Sequence, residues 1–526
     1  MSSRDATAGR PVVCAGLLLL LASGCPISPK YVRPDVPLPP NWSASSDPRL
    51  AAKLAVDVAW WHTFNDPTLD RLIEIAYRQN LPLQLAGLRI LEARAQLGIA
   101  MGQQYPTNPG AIAGATLTGL NEHNATAGDV DILAGRYQVG FDALWEIDFW
   151  GKFRRGVKAA KATYLATVAD YDDALVALDA EVARTYALIR TFQVLIELAR
   201  QNAAVQEEGQ QIAESRFRNG ATSELDVTQA TTLLENTRAS IPELQVSLQQ
   251  AENALCTLIG RAPGCAPPLL AGPSVIPTPP AQVAVSVPAE MLRRRPDIRG
   301  AELRAVAQCD RIGVAKTDLF PRLTIVGSIG TMTVNSTGIP SGGLASIASL
   351  FNPGTLLYNI GANLFWPILA YPQILNNVRV QDARLQQLLV DYKSTVLRAA
   401  QEVEDGIAGF LREQEAAIFA QNAATAAQTS VKLALIQYRE GAADYQRVID
   451  SQRALLDSQN NLARIHSATT TSLIALYKAL GGGWEPRQGQ SVVTDENRVE
   501  MQKRTNWNGY FRKAAAATHE TAPTHR

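Results

Sequence analysis

The chain has 526 residues, room for several ordinary domains, and its 49 basic residues balance 49 acidic ones, which removes the charge excess expected of a nucleic-acid binder. Charged residues make up 19 %, below the usual quarter, and aromatic residues 6 %. Beyond the N-terminus no apolar run reaches the roughly 18 to 20 residues of a membrane helix, a pattern open to a soluble protein and to a β-barrel, whose strands escape hydropathy.

Arg4 and Arg10 precede an apolar run from Val12 to Ala22, so residues 1–24 read as a signal peptide and imply bacterial export. Ala22-Ser23-Gly24-Cys25 is similar to a lipoprotein cleavage box, with Cys25 the lipid acceptor; an ordinary cleavage site beside a Cys is the alternative. Pro26 follows rather than Asp, so the inner-membrane retention signal is missing. Residues 25–68 form an extended, Pro-rich N-terminal segment. Residues 69–110 hold a first helix, running to about Gln104 and broken near Pro82.

Residues 111–150 predict a β-hairpin. Tyr137, Val139, Phe141, Ala143, Trp145, Ile147 and Phe149 alternate with Gln138, Gly140, Asp142, Glu146 and Asp148, a period of two with one apolar face. Ala111–Gly119 is a weaker strand before it, joined by a polar loop. Residues 322–371 repeat the arrangement, with Leu323–Thr331 and then Tyr358, Ile360, Ala362, Leu364 and Trp366 alternating with Asn359, Gly361 and Asn363. Four strands are too few to close a membrane barrel, where about eight is the minimum. A soluble sandwich or a barrel shared by several chains remain open at this point.

Residues 151–261 and 372–482 read as two long helical hairpins. Leu165, Val168, Leu175, Leu178, Val182, Ile189, Phe192, Ile196 and Ala199 step by three, four or seven, a heptad seam. A helix of such length, roughly 90 Å at 1.5 Å per residue, must pair laterally. The stretch Arg216-Phe217-Arg218-Asn219-Gly220 through Ser223 to Val227 recurs as Gln437-Tyr438-Arg439-Glu440-Gly441 through Asp444 to Val448. Each copy interrupts helix with a Gly, as a hairpin tip needing positive φ requires. The offset of about 220 residues marks a duplicated half-chain. Pro242 falls inside the returning helix of the first copy only.

Residues 262–290 are a Pro-rich linker, near whose start Cys256 and Cys265 could pair in an oxidising periplasm; Cys309 leaves the count odd. Residues 291–321 open the second half with a helix, and residues 483–526 read as a disordered tail. No phosphate-binding loop, nucleophile elbow or His-Glu-x-x-His is present, and the five His are scattered without ligand spacing. Neither an enzyme nor a cofactor or metal is expected.

The paired tips, the run Leu292-Arg293-Arg294-Arg295-Pro296-Asp297-Ile298, and Leu88-Arg89-Ile90-Leu91-Glu92-Ala93-Arg94-Ala95-Gln96 resemble the TolC-type outer membrane efflux factors, closest to the OprM/NodT-like lipoprotein branch of RND tripartite systems. The resemblance covers the mature chain up to Trp484. It implies a mixed α+β membrane protein: a homotrimer with a twelve-stranded outer membrane β-barrel, four strands per chain, continued by a long α-helical periplasmic barrel. It further implies a lipid anchor at Cys25, an inner-membrane RND pump, and a periplasmic adaptor docking at Arg218, Gly220, Ser223, Arg439, Gly441 and Asp444. A periplasmic gate falls on Asp450, about nine residues past the second tip glycine, with Arg447 on the same helical face and Tyr438 nearby. The function implied is passive export of drugs or toxic small molecules. A protein-secretion conduit and a pore-free periplasmic coiled coil are the competing readings.

Overall fold

A computed structural model describes residues 29–52, 58–120, 132–285, 294–336, 350–507 and 510–511. The expected signal peptide, Cys25, most of the first hairpin loop and Leu292-Arg293 lie outside them. No helix of the described residues is long and apolar enough to cross a membrane. The chain divides into two compact units.

The first unit is built on a four-stranded antiparallel sheet of β2 (Thr107–Leu120), β3 (Ile132–Glu146), β5 (Arg322–Ser336) and β6 (Leu356–Phe365), in that order. Short β1 (Leu50–Ala52) and β4 (Val283–Val285) belong to the second unit, where they pair in parallel. The strand after the first helix begins at Thr107, earlier than expected. The register aligns Ala111, Phe141, Ile329 and Tyr358 in one cross-strand row, and Asp142, Ser328 and Asn359 in the next. Successive residues face opposite sides of a sheet, so neighbouring rows separate apolar from polar. Beside the strands, Trp150 stacks on Phe320 at 4.7 Å and Lys152 pairs with Asp318 at 3.1 Å. Ile312, Ala315 and Val378 pack together from the ends of helices that pass into this unit.

The second unit is helical. Helix α1 (Pro67–Gln79) starts with Pro67 in its first turn, and the Asp66 carboxylate accepts from the backbone N–H of Thr68 and Leu69. Asn80 separates it from α2 (Leu81–Gly102): its Oδ1 accepts from the Leu83 N–H at 2.7 Å, and its Nδ2 donates to the Leu258 carbonyl at 2.8 Å. The long helices are α3 (Lys152–Arg218), α4 (Glu224–Leu258), α6 (Tyr371–Arg439) and α7 (Tyr445–Ala479), with α5 (Pro296–Thr317) opening the second half. The 67 residues of α3 give about 100 Å of rise at 1.5 Å each. The heptad positions expected to form its seam are buried, Phe192 partly so. Pro242 lies within α4, which runs through it.

Four helix ends close in the same way. At Gly220, Gly260, Gly441 and Gly481, each with φ between +70° and +76°, the glycine N–H bonds three residues back and the next N–H bonds five back. This Schellman closure needs a left-handed residue, which glycine takes without strain. The duplication is thus a repeat of conformation as well as of sequence.

The Pro-rich linker carries β4, which pairs with β1, and near its start a disulfide joins Cys256 to Cys265, the pairing that the sequence left open. The tail is not disordered through 484–507: it forms a 3-10 turn, Glu485–Arg487, and a helix α8 (Asp495–Arg504) capped by Thr494. The reason is burial. Val492 and Val493 are covered, the Arg487 guanidinium lies 5.0 Å from the Tyr77 ring, and Arg299 lies 5.6 Å from that of Trp484. Nearby, Tyr77 donates to fully buried Asp179 at 2.9 Å, and burial pushes that carboxyl well up. Asp172 is likewise raised by burial, to about 7, although Arg299 sits 2.8 Å away.

Candidate functional site

The sheet carries the first site. Its apolar rows point away from the chain: Phe141, Ile329 and Tyr358 are 66 %, 55 % and 72 % exposed, and Ile360, Leu364 and Trp366 extend the surface. Soluble monomers rarely leave an apolar face this continuous uncovered. The opposite face presents Gln138, Asp142, Glu146, Thr324, Ser328, Asn359 and Asn363, a wettable surface. Among the described strands β2 and β6 each pair on one side only, so the sheet has two open edges. An apolar outside, a polar inside and two unsatisfied edges are what one quarter or one third of a closed membrane barrel must have.

From Leu323 to Val378 no residue carries a charge, whereas the first hairpin region contains Arg136, Asp142 and Glu146. Fixed charge on the polar face therefore comes from β3 and from Arg322 at the start of β5 among the described strands.

The hairpin tips carry the second site. Arg218, Gly220, Ser223, Arg439, Gly441 and Asp444 are all exposed. Ser223 and Asp444 hold the positions just before α4 and α7 without capping them through their side chains. Exposed Arg439 reaches Glu208 on α3 at 3.2 Å. Arg447 and Asp450 are exposed on α7. Asp450 accepts from Gln446, one turn earlier on the same helix, at 2.9 Å.

Tyr438 departs from the expectation for a gate-lining side chain. It is buried, with its ring 4.9 Å from Tyr445, and its hydroxyl donates to Asp226 Oδ2 at 3.1 Å. Thr222 also donates to that oxygen. The Arg216 guanidinium lies 4.7 Å from the Tyr438 ring and donates to the Tyr438 carbonyl. Its other nitrogen reaches the Ala221 carbonyl at 3.4 Å, so one cation caps both tips. These bonds fasten the first hairpin to the second, and apolar Ala213, Leu233, Val448 and Ile449 pack beside them.

Reading the repeat for its matches overlooks Arg216, Thr222 and Asp226, and the signal lies in the mismatches. Arg216 stands where the second copy has Gln437, Phe217 where it has Tyr438, and Asp226 where it has Arg447. Each mismatch puts a side chain into the contact between the hairpins.

Comparison with known proteins agrees with this arrangement. A family model described as "Outer membrane efflux protein" matches residues 72–261 and 287–482. The chain is similar to outer membrane protein OprJ of Pseudomonas aeruginosa, 32 % identical over 91 % of this chain and 97 % of that protein. It is also similar to the toluene efflux pump outer membrane protein TtgI of Pseudomonas putida, 30 % identical over 89 % and 98 %. Among solved structures, the outer-membrane channel OprN superposes with a TM-score of 0.82 at 28 % identity, covering 88 % of this chain and all of that one. The open state of the Neisseria gonorrhoeae MtrE outer membrane channel gives 0.75 at 27 %, covering 88 % and 99 %.

Proposed function

Because the chain belongs to the outer membrane efflux protein family, we propose that it is the outer membrane channel of a tripartite efflux pump, passively conducting drugs or toxic small molecules across the periplasm and outer membrane. It is a channel-forming protein and not an enzyme. Three copies make a twelve-stranded outer membrane β-barrel and a long α-helical periplasmic barrel. A periplasmic adaptor and an inner-membrane pump complete the assembly, the pump being of the RND type. The carrying observation is the four-stranded sheet with an apolar outer face and two open edges. The relatives' names span toluene and cation efflux, so the choice of substrate belongs to the pump rather than to the channel fold. The deciding experiment is planar-bilayer conductance of detergent-purified protein with its native mass measured alongside. A conducting trimer is expected, and a stable, silent monomer would overturn the proposal.

Three finer assignments accompany it. Cys25 carries a lipid that anchors the chain to the periplasmic leaflet, and mass spectrometry of the mature N-terminus should find it; an unmodified start elsewhere refutes the anchor. The exposed tips dock the adaptor, with Gly220 and Gly441 allowing close backbone approach. Gly441→Trp should then abolish export while trimer and surface level persist, and surviving export would remove the tips from docking. Asp450 and Arg447 belong to the periplasmic gate: exposed on one chain, they are free to meet their copies around the threefold axis. Asp450→Ala or Arg447→Ala should raise single-channel conductance, and unchanged conductance in both would take these residues out of the gate. Tyr438 acts behind that surface, tying the hairpins together.

A further inference from the structure

In the first unit, parts of α2, α3, α5 and α6 line a cavity of about 560 Å³. Its lining is of two kinds. Gly156, Ala159 and Ala160 of α3 with Val314 and Ala315 of α5 make a strip of small and apolar residues, and a Cβ at Gly156 would meet nothing within 4 Å. Arg311 of α5 and Arg384 of α6, both exposed, supply charge, and Gln96, Asn377 and Gln381 supply amides. Gln308, only 3 % exposed, donates from Nε2 to the Gln381 carbonyl and to its Oε1 at 3.0 and 2.9 Å, which fixes α5 to α6 along this wall.

Neither guanidinium has a carboxylate partner among the described residues. Arg311 donates to Thr163 Oγ1 at 3.2 Å and to Gln308 Oε1 at 3.4 Å, both uncharged. Arg384 enters no ion pair among the described residues. The acids nearby are engaged or lie elsewhere. Asp318 lines the cavity but pairs with Lys152 at 3.1 Å. Asp310 and Asp382 are not in the lining, and on the α3 side the chain has no acid between Asp148 and Asp170. Unneutralised positive charge beside amides and an apolar strip suits an organic anion. A guanidinium fork takes a carboxylate in two parallel bonds, and a cavity of this size holds a small-molecule body.

We propose that this cavity is a binding site for amphiphilic carboxylates, small organic anions with an apolar body, in the wall of the conduit. Its position follows from Asp318, which also lines an adjoining cavity of about 340 Å³ together with Glu146 and Arg322. Those two belong to the polar face of the sheet, the face that meets water in a barrel. The arginines therefore stand on the water-filled side, where a passing anion reaches them, and a trimer presents three such sites. A conducting site must hold its ligand weakly enough to let it go, a demand that exposed guanidinium groups meet. The pump still chooses the cargo, and the site favours onward passage of the anionic part of it. The inference rests on the conduit reading of the chain.

Full-length, detergent-purified trimer in planar bilayers tests it, with octanoate as the probe and acetate and octyltrimethylammonium as controls. Octanoate should interrupt the parental current at concentrations where acetate and the cation do not. Arg311→Gln with Arg384→Gln should weaken that block about tenfold, the order expected for two exposed ion pairs. The same variant should shift the reversal potential under a KCl gradient towards cation preference. Arg311→Lys with Arg384→Lys keeps the charge but not the fork, so it should retain the parental reversal potential and still lose most of the block. Octanoate block that is unchanged in the glutamine variant, or matched by acetate, would overturn the site. Should the glutamine pair fail to assemble, Gly156→Leu decides. Its side chain occupies the cavity and leaves both charges in place, so block should vanish while the reversal potential stays parental; persistent block overturns the proposal. A parent that never conducts refutes the conduit itself, whereas a conducting parent that octanoate leaves undisturbed overturns the site alone.

Discussion

Asp172 is buried on α3 with its carboxylate 2.8 Å from Arg299, yet burial outweighs that cation and holds the group up to about 7. In the unfolded chain an Asp titrates near 3.9. Between those values the folded state binds the proton and the unfolded state has released it, so stability falls as pH rises through that window and levels off above it. The thermal midpoint of the detergent-solubilised trimer should therefore climb as pH is lowered from about 7 towards about 5, the upper part of that interval. Asp172→Asn should flatten the climb, because an amide has no proton to gain. A slope unaltered by the substitution would assign the pH dependence to other acids. Above about 7 the carboxylate is charged, and the attraction of Arg299 does not fully offset the burial of that charge. Trp484 of the tail lies 5.6 Å from the same guanidinium.

At the scale of elements, the tail shows what local pattern leaves out. Removing residues after Gly483 would strip the Arg487 contact with Tyr77, the Asn497 bond to Gln84 at 3.0 Å and the burial of Val492 and Val493. Two covered valines alone amount to roughly 3 kcal/mol or more, so the truncated trimer should melt several degrees lower. Gly87→Leu offers a gentler version. A Cβ at Gly87 would lie 1.9 Å from the Val492 carbonyl, so the tail must lift off and become protease-sensitive while the helices remain. Equal melting and equal protease resistance would make the segment a passenger. None of this is legible in residues 484–507, because each stabilising partner sits hundreds of positions away on α1, α2 or α5. The long helices and strands were legible for the opposite reason: heptad spacing along Leu165–Ala199 and alternation along Tyr137–Phe149 state in local sequence which side must be covered. The tip glycines announce themselves similarly, as Gly220 and Gly441 each interrupt a long helical pattern. The bonds of Arg216 and Tyr438 do not, since they require knowing that the two tips meet.

For the whole molecule, the question is what faces the apolar side of the sheet. A soluble partner and a bilayer would both cover Phe141, Ile329 and Tyr358, but they differ in how they treat one charge. The middle of the β5 strand places Ile329 in the apolar row and Ser328 in the polar one, adjacent in sequence and opposite in direction. Lysine on the lipid side of a barrel costs about 2–4 kcal/mol at the bilayer midplane, and threefold repetition triples the cost per trimer. Ile329→Lys should therefore deplete the outer-membrane fraction. Ser328→Lys should insert normally, since its side chain meets water in the lumen. There it stands across from Asp142 in the β3 register, within a wall whose second half carries no charge from Leu323 to Val378. One added cation per chain should shift the reversal potential under a salt gradient towards anion preference, with little change in protein level. Normal insertion of Ile329→Lys together with loss of Ser328→Lys would invert the assignment of the two faces, and with it the barrel.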